Sequence, residues 1–259
     1  MDDLVISPRV HHLRDAMGVC MTLLLGDETS LLIDAGYGIS NVAEDVGRLA
    51  GQTPRLLLTH GHHDHALGAR FFPEVYLHEK DEQVYHVYTR DPWKSRVRGQ
   101  ARDKGLEAVD DFSTPLPGCR SFRELPDNLG SMPVVYLESP GHTPGSLMIY
   151  LPEESILITG DDWNPTTWCF FPEAESIQTL RLSLMRAMEL PFRHVLCSHD
   201  HALHARSDIE HFLACTTPEW LDRAEPSPQG ASVNRPTVEL ATPGGQHIVF
   251  DPEKRQEAD

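Results

Sequence analysis

The amino-acid sequence predicts a mixed α/β (α+β) fold, and three observations carry that reading. Short apolar runs rich in Leu, Ile and Val recur along the chain, bounded by Gly, Pro, Asp or Ser, as strands are. Segments with apolar residues at helical spacing lie between them. The second half of the chain repeats the layout of the first: strands, then a helix, with ligand-type side chains where strands end.

Taken in order, Val19 to Leu25 and Ser30 to Ile33 read as two strands around the turn Gly26-Asp27-Glu28. Asp34-Ala35-Gly36-Tyr37-Gly38 ends the second. Ser40 is placed to cap a helix whose apolar positions are Val42, Val46 and Leu49. After Pro54, Arg55 to Thr59 reads as a buried strand that delivers His60 onto a loop. The stretch from Val84 to Leu129 has weak periodicity and many charges, and reads as a substrate-covering insertion. Val134 to Glu138, Leu147 to Leu151 and Ser155 to Thr159 are the next strands, and the last delivers Gly160-Asp161. Ala174 to Leu190 is a helix with Ile177, Leu180, Leu184 and Met188 on one face, stopped by Pro191. Arg193 to Cys197 is a strand ending at Ser198-His199. Ser207-Asp208-Ile209-Glu210 opens a further helix as a capping box, and Val238–Ala241 with His247–Phe250 reads as a terminal hairpin.

At 259 residues, with no repeat and no Gly/Ser-rich linker, the chain reads as a single domain over residues 1–259. Its formal net charge of −17 argues against a nucleic-acid partner, because phosphate backbones are held through Lys and Arg. A local basic run, Arg90, Lys94, Arg96, Arg98, Arg102 and Lys104 with Lys80 upstream, reads first as a solvated face. No apolar stretch is long enough for a membrane span, and Met1-Asp2-Asp3 lacks the start of a secretory signal, so a cytoplasmic protein is expected. The 5 cysteines form no C-x-x-C pair, so neither a thiol-redox motif nor a cysteine zinc site is expected.

Chemistry concentrates in His60-Gly61-His62-His63-Asp64-His65. Imidazole and carboxylate suit zinc and similar divalent metals. Alternation puts His60 and His62 on one side of a tight loop, and Asp64 and His65 follow round to the other. One short segment can thus serve two adjacent metals. Thr59 and Thr143 are candidates to orient such ligands through their hydroxyls.

This pattern resembles the metallo-β-lactamase superfamily, whose other motifs appear in order. Asp34-Ala35-Gly36 matches the N-terminal Asp-x-Gly turn, and Pro140-Gly141-His142-Thr143-Pro144-Gly145-Ser146 the loop of the third histidine. Thr159-Gly160-Asp161 matches the bridging aspartate, and His199 the last histidine. The resemblance spans residues 10 to 215 and implies a four-layer αβ/βα sandwich. It implies two divalent metal ions, zinc first, with iron or manganese also compatible. His60, His62 and His142 would hold the first, and Asp64, His65 and His199 the second. Asp161 would bridge the pair. It further implies a small-molecule substrate whose ester, thioester, lactone or amide bond is cleaved by a hydroxide held between the metals. Asp64 and Asp161 are the catalytic carboxylates in that scheme.

Three features depart from the pattern or extend it. The family's final Gly-His-Gly is here Ser198-His199-Asp200-His201, which leaves His194, His201 and His204 as weaker alternatives to His199. Asp162 beside Asp161 reads as a supporting carboxylate, and His63 as an exposed, replaceable position. The aromatic run Trp163 to Phe171 reads as a substrate wall. The competing functions are a mononuclear-iron persulfide dioxygenase, a phosphodiesterase, and a non-catalytic metal-binding protein.

Overall fold

The structure is a computed structural model and describes residues 1–255; the last four positions of the expected single domain lie outside the described residues. The chain forms two compact units. The first comprises Met1–Val135 with Ser198–Ala202, and the second Tyr136–Cys197 with the residues from Leu203 onward.

In the first unit a seven-stranded sheet has the order β1-β2-β3-β4-β5-β6-β7. Its strands are β1 (Asp2–Ser7), β2 (Val10–Arg14), β3 (Cys20–Leu25), β4 (Ser30–Ile33), β5 (Arg55–Leu57), β6 (Val75–Leu77) and β7 (Cys119–Ser121). β1 to β4 pair antiparallel, and β4 to β7 pair parallel. Helix α1 (Val42–Ala50) packs Val42, Ala43 and Val46 into a core with Leu23, Leu32, Leu56 and Val75. Burying each such side chain contributes about 1.5–3 kcal/mol. Three further helices follow β5: α2 (His63–Ala66), α3 (Glu82–Tyr88) and α4 (Asp91–Asp103). A small hairpin, β8 (Asn128–Leu129) with β9 (Met132–Pro133), completes the unit.

A five-stranded sheet drawn mainly from the second unit has the order β10-β11-β12-β14-β15, with β10 (Val135–Glu138), β11 (Leu147–Leu151), β12 (Ile156–Ile158), β14 (His194–Cys197) and β15 (Asp200–Ala205). A four-stranded sheet, β13-β18-β17-β16, holds β13 (Thr166–Cys169), β16 (Glu225–Ser227), β17 (Thr237–Ala241) and β18 (His247–Phe250). Helices α5 (Ile177–Ala187), α6 (Arg206–Ala214) and α7 (Pro218–Leu221) complete the set. Ile177, Leu180 and Leu184 of α5 join Ile209, Phe212, Leu157, Val195 and Phe250 in one core.

Several expected boundaries shift for identifiable reasons. Helix α1 is capped by Asn41, which accepts from the Glu44 N–H, while Ser40 turns its hydroxyl to Asp45. Helix α6 begins at Arg206, ahead of Ser207, because the Asp208 carboxylate reaches back to the Ala205 N–H. The stretch from Val84 to Leu129, expected to be a substrate-covering insertion, is packed into the first unit over α3 and α4. Val84, Tyr85 and Tyr88 of α3 and Val97 and Ala101 of α4 are buried, and Val97 and Ala101 share a cluster with Ile39, Leu67 and Phe112. The aromatic run Trp163 to Phe171 contains a strand rather than forming a loop wall. Trp163, Cys169 and Phe170 are fully buried in the second unit, Trp168 is 41% exposed, and Phe171 is half-buried. None of the 5 cysteines is disulfide-bonded. No helix among the described residues is long and apolar enough to cross a membrane.

Candidate metal centre

The metal-ligand loop starts where β5 runs out. Asp34, at the end of β4, takes up a left-handed backbone (φ 64°), a conformation that Asp tolerates better than most residues. Its buried carboxylate accepts from the Thr59 N–H at 2.8 Å and from the Thr59 hydroxyl at 2.9 and 3.0 Å. The same carboxylate meets His65 Nδ1 at 2.9 Å. A carboxylate only accepts, so the proton sits on Nδ1 and the buried His65 Nε2 carries the lone pair. Thr59 donates its one hydroxyl proton to Asp34, and its oxygen lies 3.0 Å from His60 Nδ1. That oxygen therefore accepts from His60 Nδ1–H, and His60 too presents a bare Nε2. One carboxylate thereby sets the tautomer of two histidines, directly and through a threonine.

Gly61 shows why this loop cannot carry a side chain at every position. A Cβ there would lie 2.3 Å from the Tyr85 backbone nitrogen, so α3 is seated directly against the loop. The Gly61 N–H donates at 2.7 Å to Asp81, whose carboxylate is fully buried. Asp81 lies twenty residues downstream and no local pattern flags it.

In the first unit the structure brings together His60, His62, Asp64, His65 and His199. The His60 ring centroid lies 4.7 Å from His62 and 4.1 Å from His65. Asp64 Oδ2 is 3.7 Å from His65 Nε2 and 3.6 Å from His199 Nε2, and the three donor atoms fall within 4.8 Å of one another. His199 remains 39% exposed. His201 is turned elsewhere: its Nε2 donates to the His12 carbonyl at 2.8 Å and its ring stacks on His12. His194 is exposed at the start of β14, and His204 packs edge-on against Trp163.

In the second unit the loop after β10 and the turn after β12 bring His142 and Asp161 together, with Nε2 and Oδ2 3.6 Å apart. His142 Nδ1 donates to the Trp168 carbonyl at 2.6 Å, which again leaves Nε2 unprotonated. Asp162 accepts from the His142 N–H at 3.1 Å and from the Ser139 hydroxyl at 2.6 Å, so it supports the loop. Thr143 bonds Ser146 within its own turn. Gly141 has no room for a side chain, since a Cβ would meet Leu180 at 2.5 Å. Phe171 sets its ring edge-on to His142, and the Lys254 ammonium donates to the carbonyls of Phe171, Pro172 and Ala174, fixing that segment.

His63, expected to be exposed, is largely covered. Trp93 lies 4.6 Å from its ring, Tyr37 meets it edge-on at 5.6 Å, and Tyr88 lies parallel at 6.2 Å. Burial lowers the His63 pKa to about 4. The motif position gave no sign of this, because the covering rings come from distant segments: Tyr37 from the turn after β4, Tyr88 from α3, and Trp93 from α4, whose charges masked its helical pattern.

These arrangements suit divalent metal: imidazole nitrogens with set tautomers, and carboxylates beside them. The family model described as Metallo-beta-lactamase superfamily matches residues 15–161, more than half of the chain. The chain belongs to the metallo-β-lactamase superfamily. Its mixed α/β build is that superfamily's sandwich fold. It is 29% identical over 190 residues to an acyl-coenzyme A thioesterase MBLAC2 of Gallus gallus, covering 65% of this chain and 66% of that protein. It is 28% identical over 184 residues to a hydroxyacylglutathione hydrolase of Bartonella henselae, covering 69% of this chain and 62% of that protein. The chain thus spans slightly less than two thirds of the length of these relatives. Among solved structures it is similar in fold to a metallo-beta-lactamase from Pontibacter korlensis, with a TM-score of 0.59, 18% identity, and coverage of 86% of this chain and 99% of that one.

The anchoring role of Asp34 gives a direct expectation. Asp34→Asn keeps the shape but removes the charge that holds His65 Nδ1–H and Thr59. Metal affinity should fall by about 10–100-fold, the usual effect of losing such a supporting partner. Competition titration with a chromogenic chelator reads this, and unchanged affinity would remove Asp34 from the site.

Proposed function

We propose that this chain is a metal-dependent hydrolase of small-molecule thioesters, acting as one catalytic domain. The observation that carries this is the set of histidines whose Nδ1 protons are committed to Asp34, Thr59 and the Trp168 carbonyl, leaving Nε2 for metal. The thioester class is supported by the two relatives above, both named for thioester cleavage. Following the family pattern, His60, His62 and His142 would hold one divalent ion and Asp64, His65 and His199 the second. Asp161 would serve both, and zinc is the first candidate. The bound ions would supply Lewis acidity and lower the pKa of water to about 7.

The protein's own groups do the positioning. Asp34 and Thr59 keep His65 and His60 from rotating, and Asp162 keeps the His142 backbone in place. Asp64 turns Oδ2 to His65 and His199 and Oδ1 toward His63 Nδ1 at 3.5 Å, so its orientation is fixed from both sides.

The test is elemental analysis of purified protein together with a panel of thioester, ester, lactone, β-lactam and phosphodiester substrates. Thioesters should be cleaved best, with activity lost on chelation and restored by a divalent metal. Hydrolysis of none of the panel, with dioxygen consumed in the presence of a persulfide, would replace this reading by the dioxygenase one.

A further inference from the structure

The basic run of residues 90–104 holds six cations against two carboxylates, in a chain of formal net charge −17. Its members do different things. Lys94 donates to the Phe112 carbonyl and Arg98 to the Asp111 carbonyl and carboxylate, so these two hold the 111–112 turn. Arg90, Arg102 and Lys104 are exposed. Arg96 is placed differently: its guanidinium lies over the Trp93 ring, 5.3 Å from the centroid.

Trp93 in turn sits beside the metal-ligand loop. It stacks on Tyr88 at 4.6 Å and lies 4.6 Å from His63, and Tyr88 packs at 4.4 Å on the ring of His62. From His62 outward, the order is Tyr88, Trp93, Arg96. Tyr88 is buried, Trp93 half-buried and Arg96 exposed, so solvent reaches the last two. Tyr88 is held in place because α3 is seated on the loop at Gly61, whose N–H donates to Asp81 just ahead of that helix.

An anionic substrate is repelled by the chain's net charge and needs a local cation to bind. A guanidinium on an indole presents an oriented fork to a carboxylate or phosphate, with an apolar surface beneath it. A purely aliphatic acyl group would use only the indole. We propose that Trp93 and Arg96 form the carrier-binding subsite, the indole lying along the apolar stem next to the thioester sulfur and the guanidinium pairing with a carboxylate or phosphate on the leaving thiol. This rests on the thioester reading above.

The experiment uses one acyl group on three thiols: coenzyme A, which carries phosphates; glutathione, which carries carboxylates; and neutral N-acetylcysteamine. Arg96→Gln should raise KM about tenfold or more for at least one anionic carrier, the scale of a lost charge-assisted hydrogen bond, with kcat little changed. KM for the neutral carrier should stay put. Which anionic carrier responds identifies phosphate or carboxylate as the recognised group. Arg102→Gln, on the same helix, should leave all three KM values unchanged. Raising salt from about 50 to about 300 mM should erode the anionic preference of the wild type and not that of Arg96→Gln. Equal effects on all three carriers, or none, overturn the subsite. If the wild type cleaves none of the three, the thioesterase reading fails by itself. The subsite is then judged by titration calorimetry with the unreactive S-methyl thioethers of the same thiols. Tighter binding of an anionic thioether by the wild type than by Arg96→Gln supports it, and equal binding overturns it.

Discussion

Asp161→Ala should lower kcat/KM for thioester hydrolysis by more than about a hundredfold and leave the purified protein well below the metal content of the wild type. Partners that merely support a ligand are worth about 10–100-fold, and a ligand shared by both ions should exceed that. The carboxylate is buried, with Oδ2 3.6 Å from His142 Nε2 and Oδ1 receiving the Asn164 amide at 3.3 Å. Burying an anion is unfavourable, and a bound cation offsets that cost. The metal-free variant should therefore melt no lower than metal-free wild type, which separates a lost ligand from a misfolded protein. Full metal content with full activity in Asp161→Ala would remove this residue from the centre and the shared-ligand reading with it.

The clustering of the motif residues was legible because their spacing is short and regular and survives without tertiary information. His60 to His65 follow a strand and turn, and each side chain's direction follows from that local geometry. The strand Arg193 to Cys197 pointed to His199 rather than His201, and His199 Nε2 does lie 3.6 Å from Asp64 Oδ2. What could not be read was support arriving from far along the chain. Asp81 beneath Gly61 lies just ahead of α3, and Trp93 over His63 comes from α4, where charged residues outnumber the few apolar positions that make the buried face. The aromatic run after Asp162 misled for the opposite reason. Trp163 and Phe170 have the composition of a pocket wall but fill the core, and composition alone cannot tell a ring that faces a cavity from one that is packed. The caps at Asn41 and Ala205 show the same limit at small scale: several polar residues in a row compete, and backbone direction decides.

The largest expected loss of stability lies at Arg70 and Asp110, a pair no motif announced. The Arg70 side chain has no exposed surface, and each of its three guanidinium nitrogens has an acceptor. It donates to the Leu67 carbonyl at 2.7 Å, the Gly38 carbonyl at 2.6 Å, and Asp110 at 2.7 to 3.1 Å, with the rings of Phe71 and Phe112 across its faces. Asp110→Ala leaves that charge buried without its counterion, and breaking a buried pair in this way costs about 3–5 kcal/mol. Chemical denaturation at neutral pH should show it as a lower midpoint. Removing the exposed Glu124 partner of Arg120 should leave the midpoint near that of the wild type. The pH dependence follows from the same contacts. Burial works to raise the Asp110 pKa, but the Arg70 hydrogen bonds, then Thr114, the Arg70 charge and the Phe112 N–H outweigh it and hold the carboxyl well below the usual range. A folded-state pKa lying below the unfolded value of about 3.9 stabilises the fold at pH above about 5. That contribution shrinks as pH falls through the unfolded value toward the folded one. Asp110→Asn lacks this titration, so its stability should decline less steeply than that of the wild type between about pH 5 and pH 3. Parallel declines in the two proteins, or an unchanged midpoint for Asp110→Ala, would show that Arg70 is held by its backbone carbonyls alone.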